Sequence, residues 1–571
     1  MEFNPYQKRA IATSGHCTIL ACPGSGKTRV LSERATLLIR SEQKGRLCAV
    51  TFTKDAANEL KTRITESCEN AGLRLAVGTF HSVALSQIKR FVKSPPKLLN
   101  NGSRRALLRR CYSQHNTDLS FDDVVSAIDT AKSRLNPPTF RNTTLDDIYH
   151  EYAAVLKSEN AMDFSDILLI SVRLMLDGEI LPLPIRWLLV DEAQDMDEIQ
   201  MEWVLIHGRA GFEVTLVGDD DQSLYTFRNA LGYKGLSNVT TCLSSTEMTL
   251  PINYRCPPNI LDHAAKLIMC NADRAHKKIT AHKSEPGEFR VIRGADRDDE
   301  FRHMIKKIMD HQTNWAVLGR TNLILDEAEL AFAQSGVAYT RSDSKSVWNH
   351  SIGSDFLGLM HSVANDSWTG IANVLVHYGM DSSQVNQHSK DTADENSHCV
   401  DRLYALKQKM SGLADDNEIK SVVESLYREF LSWRNQLSKN RASLVIHGIV
   451  NFLAGSCKKP SQLNLLKKLG ICVAKIPGSL TQKISVLDRN ASSYVTPPVQ
   501  LMTIHSSKGL EFENVWIIGV EEGNLPHTDS PEEDERRLLY VGMTRAKKRL
   551  FLSSSIEDGL ESRFLAEAGL V

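Results

Sequence analysis

The stretch ILACPGSGKTRVL, residues 19–31, closes on Gly26-Lys27-Thr28 after an apolar run, so strand, glycine-rich turn and helix start follow one another as a phosphate-binding loop requires. Ala21 stands where the pattern G-x-x-x-x-G-K-[ST] has its first glycine, at the point where the strand ends. Gly24 and Gly26 keep the freedom needed where backbone approaches phosphate or takes a positive φ. Beyond the loop, Val30, Leu31, Ala35 and Leu38 share one helical face. An ordinary surface turn has no need of Pro23-Gly24-Ser25-Gly26-Lys27-Thr28. In such a loop Lys27 reaches the β and γ phosphates, the Thr28 hydroxyl holds Mg²⁺, and loop amides with the helix N-terminus bind the anion.

Three more β-branched or apolar runs end in polar clusters in the first half: LCAVTFT at 47–53, WLLVDEAQD at 187–195 and VTLVGDDDQ at 214–222. Helical patterns separate them, which predicts an α/β fold with a buried parallel sheet and ligand sites at the carboxyl ends of its strands. Charged, helix-patterned sequence from about 90 to 160 interrupts that domain. Five later runs, FRVIRGA, WAVLGR, VQLMTIH, NVWIIGV and RLFLSSS, predict a second α/β domain, itself split by mostly helical sequence from about 350 to 495. The expected segmentation is 1–90 and 161–255 for the first domain with 91–160 inserted, and 256–349 and 496–571 for the second with 350–495 inserted. With only a short tail after RLFLSSS, no nuclease module is expected there.

Composition bounds the partners without naming them. The 571 residues carry 68 basic and 69 acidic side chains, net charge -1, so any nucleic-acid groove must be a local basic feature. Eleven cysteines lack any C-x-x-C pair, which favours reduced thiols over disulfides, zinc or iron–sulfur sites. No signal-peptide pattern opens the chain and no apolar run approaches the roughly 20 residues that span a bilayer. A soluble, cytoplasmic protein with no membrane association is expected.

The run LLVDEAQD delivers Asp191 towards a metal and places Glu192 beside it, where a carboxylate can activate an attacking water. Hydrolysis also needs positive charge on the γ phosphate, worth roughly 10³ to 10⁵ in rate when an arginine supplies it. Arg255 in PINYRCPPNIL and Arg545 in YVGMTRAKK are the candidates, although periodicity alone does not separate either from a surface arginine. The helix before Arg545 has a start signal in Ser530 as cap, Pro531 at the first position and Glu533 closing a capping box.

Taken in order, NPYQKRAI, ACPGSGKTRVL, AVTFTKDAANELKTRI, VGTFHSVA, DEAQDMDEIQ, VGDDDQSLYTFRNA, INYRCPPNIL, MTIHSSKGLEFENVWIIGV and DERRLLYVGMTRAKKRL resemble the motifs of the UvrD/Rep-type superfamily 1 DNA helicases. That family's fold is two RecA-like domains, each with an inserted helical domain. The resemblance implies an ATP-dependent 3′ to 5′ motor on single-stranded DNA. It makes Gln7 the adenine reader, sets Arg29 and Tyr254 beside the adenine, and gives Glu511 the ribose and phosphate region. Gln222 would sense the γ phosphate, with Arg255 and Arg545 contacting it from opposite lobes. Phe52, Thr79, His81, Tyr225, Phe227 and His505 match positions that touch single strands. Aromatic faces stack on any base for roughly 1 to 3 kcal/mol each, while hydroxyl and imidazole groups hold phosphates.

MDFSDILL at 162–169 also resembles a family segment and reads equally well as helix packing. His81 and His505 lack partners at metal-ligand spacing. Cys22 replaces a frequent glycine, Phe227 a usual tryptophan, and Met196 a usual threonine. The expected cofactors are ATP and Mg²⁺, and the expected partners are single-stranded DNA and single-strand/duplex junctions, with a nuclease or loading factor as a possible protein partner. Two rivals remain: a translocase subunit of a nuclease or defence complex that unwinds little alone, and a nucleotide-switched regulatory subunit. The Glu192, Gln222, Arg255 and Arg545 set argues against the second, because a pure switch can dispense with it.

Overall fold

The structure is a computed structural model that describes the chain apart from residues 1, 43, 69–70, 137–139, 141, 312–313, 343–345, 394–397, 413–417, 458, 493–498, 558 and 571, and the side chains of residues 227, 461 and 489–492. It divides into two compact units, Met1–Gly287 with Asp529–Thr544 and Phe564–Val571, and Glu288–Thr528 with Arg545–Arg563.

Six strands build the first unit's sheet in the order Leu75–Thr79, Leu47–Thr51, Trp187–Val190, Glu213–Gly218, Cys17–Ala21, Thr246–Leu250, every pairing parallel. Alternation along each strand sends successive side chains to opposite faces. Ile19, Ala49, Leu189 and Val217 therefore pack with Val30, Leu31, Ala35, Ile39, Leu60 and Ile64 on one side. Leu20, Val50, Val190 and Leu216 meet Phe80, Ala84, Trp203 and Val204 on the other. Burial on both faces, worth roughly 1.5–3 kcal/mol for each large apolar side chain, is why the interior strands are continuous apolar runs. Because all six run the same way, they deliver residues 22–26, 52–53, 191–195, 219–222 and 252–255 to one edge.

Between these strands, helices Asn101–Ser113, Phe121–Lys132 and Thr143–Ser158 enclose a small core of Leu108, Val124, Ile128, Ile148 and Tyr152. An ionic hub ties these helices to the segment that follows. The Asp163 Oδ2 accepts from Lys132 Nζ at 2.9 Å, Tyr152 hydroxyl at 2.9 Å and Arg104 Nε at 3.3 Å. Its Oδ1 takes the Asp166 amide at 3.0 Å, and the Asp163 amide returns a 2.9 Å bond to Asp166 Oδ2.

The second unit repeats the architecture with six parallel strands in the order Glu288–Gly294, Ala546–Ser555, Phe512–Ile517, Trp315–Gly319, Val499–Thr503, Tyr339–Arg341. Helices from Ser351–Asn365 to Leu480–Ser492 intervene between its last two strands in that order. The first two of them cross backbone to backbone, since a Cβ on Gly370 would lie 1.9 Å from the Gly358 carbonyl oxygen. No helix among the described residues is long and apolar enough to cross a membrane.

The helix expected to start at Ser530 begins instead at Glu532, with Pro531 at the cap position and no side-chain capping bond. Glu533 does not close a box; its carboxylate accepts the Ala272 amide at 2.8 Å and its carbonyl accepts from Asn271 Nδ2 at 2.9 Å. Those bonds seat the helix in the first unit.

Candidate active site

The strand Cys17–Ala21 ends in a turn that hands directly to the helix Lys27–Ser41. Gly24 and Gly26 have φ of 61° and 81°, the left-handed region that disfavours side chains. At Gly24 a Cβ would also lie 2.6 Å from Arg255 Cβ. The segment around Arg255 is laced to the loop: the Tyr254 amide donates to Gly24 O at 3.0 Å, and Asn253 Nδ2 to Pro23 O at 2.7 Å. Gln7, buried on the helix Pro5–Ala12, donates through Nε2 to Ser25 O at 2.9 Å, and Asn4 of the same turn donates to the Tyr254 hydroxyl at 2.8 Å. Arg29 lies over the Phe3 ring at 4.2 Å. The Ser25 hydroxyl is buried with no hydrogen-bond partner among the described residues. An orphan donor inside a cradle that only glycine tolerates suits phosphate oxygens.

Lys27 Nζ meets Glu192 Oε2 at 3.1 Å. Burial alone would lower the Lys27 ammonium, but the charges of Glu192, Asp219 and Asp191 outweigh it and raise it. Asp191, 4% exposed, is pushed up to about 7 by burial and by the adjacent Glu192, against the pull of Lys27. A carboxyl so crowded gains from a cation, and Thr28, part-exposed one residue past Lys27, offers a hydroxyl. Glu192 has φ 51°, an unusual conformation for a glutamate.

The network continues through a residue not anticipated from sequence. Gln194 Nε2 donates to Glu192 Oε2 at 2.6 Å while its Oε1 accepts the Asp219 amide at 2.9 Å. Asp219 Oδ2 in turn accepts from Gln222 Nε2 at 2.5 Å. Lys27, Glu192, Gln194, Asp219 and Gln222 thus form one chain along the sheet edge. Asp219, Asp220 and Asp221 are the only described carboxylate trio close enough to share a cation. Lys277 pairs with all three and Arg274 with Asp221, so cationic side chains already occupy it.

Further along the same edge, Phe52 follows the strand Leu47–Thr51 and Thr79 ends its neighbour Leu75–Thr79. Phe52 packs edge-on to Phe80 at 5.6 Å, and the Thr79 hydroxyl accepts the Ser82 amide at 3.2 Å as a helix cap. His81 stacks on Phe164 at 4.1 Å with 17° between planes, and burial pushes its imidazole down to about 4, so it is neutral at pH 7. Phe164 is 54% exposed although it is a large apolar side chain. Both rings line a cavity of about 510 Å³ with Thr130, Ser133, Arg228 and Asn229. Tyr225, part-buried, has Arg228 5.8 Å from its ring centre. Phe227 lies in the turn Thr226–Arg228, and its side chain is outside the described part. Phe164 was not singled out from sequence either; its signal lay in MDFSDILL, where one large apolar residue stands between acidic ones.

Arg255 donates to Thr544 O at 3.2 Å within the first unit. The remaining candidates belong to the second unit. Arg545, 1% exposed, donates to Leu510 O at 3.3 Å; Glu511 pairs with Lys547 at 2.6 Å; His505 sits in the turn His505–Ser507 after a strand.

A glycine-rich loop with its lysine, and an acidic pair at the end of a parallel strand one removed from the loop strand, make this a phosphate-loop NTPase. Residues 3–233 match the UvrD/REP helicase N-terminal domain and residues 248–557 the UvrD-like helicase C-terminal domain. The chain belongs to the UvrD/Rep helicase family. It is 30% identical to the ATP-dependent DNA helicase Rep of Buchnera aphidicola subsp. Baizongia pistaciae, across 99% of this chain and 94% of that protein. It is 29% identical to Rep of Escherichia coli K12, across 96% and 90%, and 26% identical to the ATP-dependent DNA helicase PcrA of Bacillus subtilis 168, across 99% and 85%.

Proposed function

We propose that this chain is an ATP-dependent DNA helicase that moves 3′ to 5′ along single-stranded DNA and works at single-strand/duplex junctions. The observation that carries the reading is the unbroken chain from Lys27 through Glu192, Gln194 and Asp219 to Gln222, which ends three residues before Tyr225. A nucleotide-binding lysine and a base-facing ring are thereby joined by one short stretch of structure. The two units correspond in this reading to two RecA-like domains, with 91–160 and 350–495 as their helical insertions.

Gln7 fixes the loop from behind and reads adenine, with Arg29 and Tyr254 at its faces and Glu511 towards the ribose. Loop amides, Ser25 and the helix N-terminus take the phosphates. Lys27 exchanges Glu192 for phosphate oxygens, which frees Glu192 to accept the proton of the attacking water. Mg²⁺ held by Thr28 and Asp191 would offset phosphate charge. Arg255 and Arg545 supply positive charge to the leaving γ phosphate, and Gln222 reports its presence.

On the DNA side, Phe52, Phe164, Tyr225 and Phe227 offer stacking faces. Thr79, His81 and His505 hold the backbone; a neutral His81 does so by N–H donation rather than by charge.

The test is steady-state ATP hydrolysis with and without oligo-dT, with Lys27→Ala as blank, followed by forks bearing a 3′ or a 5′ single-stranded tail. Stimulation by oligo-dT, a silent blank and unwinding of the 3′-tailed fork are expected. Hydrolysis indifferent to DNA, or a Lys27→Ala variant that still turns over, overturns the reading; stimulation without unwinding leaves a translocase.

A further inference from the structure

The segment between the helix Pro258–Ile268 and the short strand Thr280–Ala281 drives one side chain into the first unit. Lys277 Nζ lies 2.6 Å from Asp219 Oδ1, 2.6 Å from Asp220 Oδ1 and 3.2 Å from Asp221 Oδ2, its side chain 1% exposed and all three carboxylates wholly buried. An ammonium is taken out of water at high cost unless it is paired. Burial would lower this one, and the three carboxylates override it and raise it well above its ordinary value.

The three acids do not depend on Lys277 equally. Asp221 is also gripped by Arg274 through two bonds of 2.8 Å, and Asp220 Oδ2 also accepts the Ala275 amide at 2.7 Å. Asp219 has one oxygen on Lys277 and the other on Gln222. Its amide holds Gln194, which holds Glu192. Turning the Asp219 carboxylate therefore turns the Gln222 amide, while the Gln194 link, made by the Asp219 backbone, stays in place.

We infer that Lys277 is a positioning residue for ATP hydrolysis, acting through Asp219 to aim Gln222 without touching the nucleotide itself. This rests on the reading of the site as an ATPase. Lys277 and Gln222 stand 55 positions apart in sequence, and the link between them is a single carboxylate. A displacement on the order of 1 Å at a group of this kind costs roughly 100-fold in rate.

The test uses the full chain with saturating oligo-dT. Lys277→Met is expected to lower kcat by roughly 30- to 100-fold while a fluorescent ATP analogue binds within about twofold of the parent. Combined with Gln222→Ala, it is expected to add less than about a twofold further loss, as for two residues acting as a unit. Asp219→Asn breaks the same link while leaving Lys277 paired to Asp220 and Asp221. It serves if Lys277→Met fails to fold, with the same expected losses and the same non-additivity. Losses that multiply with Gln222→Ala, or that track only a lowered melting temperature, overturn the inference. A parent chain that does not hydrolyse ATP removes the reading beneath it instead.

Discussion

His207 lies between Trp203 and Phe212, with its Nδ1 2.7 Å from the Trp203 carbonyl and its Nε2 accepting the Leu183 amide at 3.2 Å. Those partners require a neutral ring that donates from Nδ1, and burial pushes its pKa down to about 4 against the pull of the Trp203 carbonyl. Such a depressed group stabilises the fold above the unfolded value near 6.5, and that stability is lost as pH falls towards 4. His81 shifts in the same direction. Between pH 7 and pH 5, His207 is expected to contribute a loss of on the order of 2 kcal/mol. Urea melts at the two pH values check it: His207→Gln should flatten the difference, and an unchanged difference refutes the assignment. Residues of this kind are where sequence reading stops. Lys27, Asp191 and Glu192 were readable because phosphate chemistry asks for those types at that spacing, and Gln222 was singled out only through the resemblance of its motif. Gln194 and Lys277 were not, because each acts only through neighbours brought by the fold, and Lys277 stands beside Lys278, an exposed lysine that reads identically.

At the scale of elements, the interior strands were legible, and of the edge strands only Glu288–Gly294, read from FRVIRGA, was. Cys17–Ala21 and Leu47–Thr51 are buried throughout, so they read as apolar runs. Leu75–Thr79, Thr246–Leu250 and Tyr339–Arg341 lie at sheet edges, part-exposed, and their mixed composition hid them. The hub at Asp163 gives this scale its prediction. Burial would raise the Asp163 carboxyl, and Lys132 with Arg104 brings it below its ordinary value instead. Lys132→Met leaves that charge under-compensated and is expected to destabilise by roughly 3 kcal/mol. Because Asp163 and Asp166 bracket Phe164, the same variant should need several-fold more oligo-dT for half-maximal ATPase stimulation. Normal chemical stability in Lys132→Met would show that Arg104 and Tyr152 hold Asp163 alone.

For the whole molecule, neither unit is a continuous stretch of chain. The first is completed by Asp529–Thr544 and Phe564–Val571. Bonds from Thr226 to Asp534 at 2.6 Å, and between His263 Nδ1 and Ala568 O at 2.7 Å, fasten those returning segments. The second loses its longest strand, Ala546–Ser555, if the chain stops earlier. A chain cut after residue 528 therefore lacks a piece of both units. Scanning calorimetry of it should show no cooperative transition, whereas two intact transitions would mean that the returning segments are dispensable.

The same threading sets a clock during synthesis. At roughly 5–20 residues per second, the interval between the ribosome's release of residue 287 and of residue 544 is on the order of 13 to 50 seconds. Throughout it the nascent first unit waits for its closing helix, with the Ala272 amide and the Asn271 side chain still lacking the Glu533 groups that take them. Chaperone dependence should accordingly be greatest in that window, and a slower decoding rate between positions 288 and 528 would lengthen the exposure without changing a single residue.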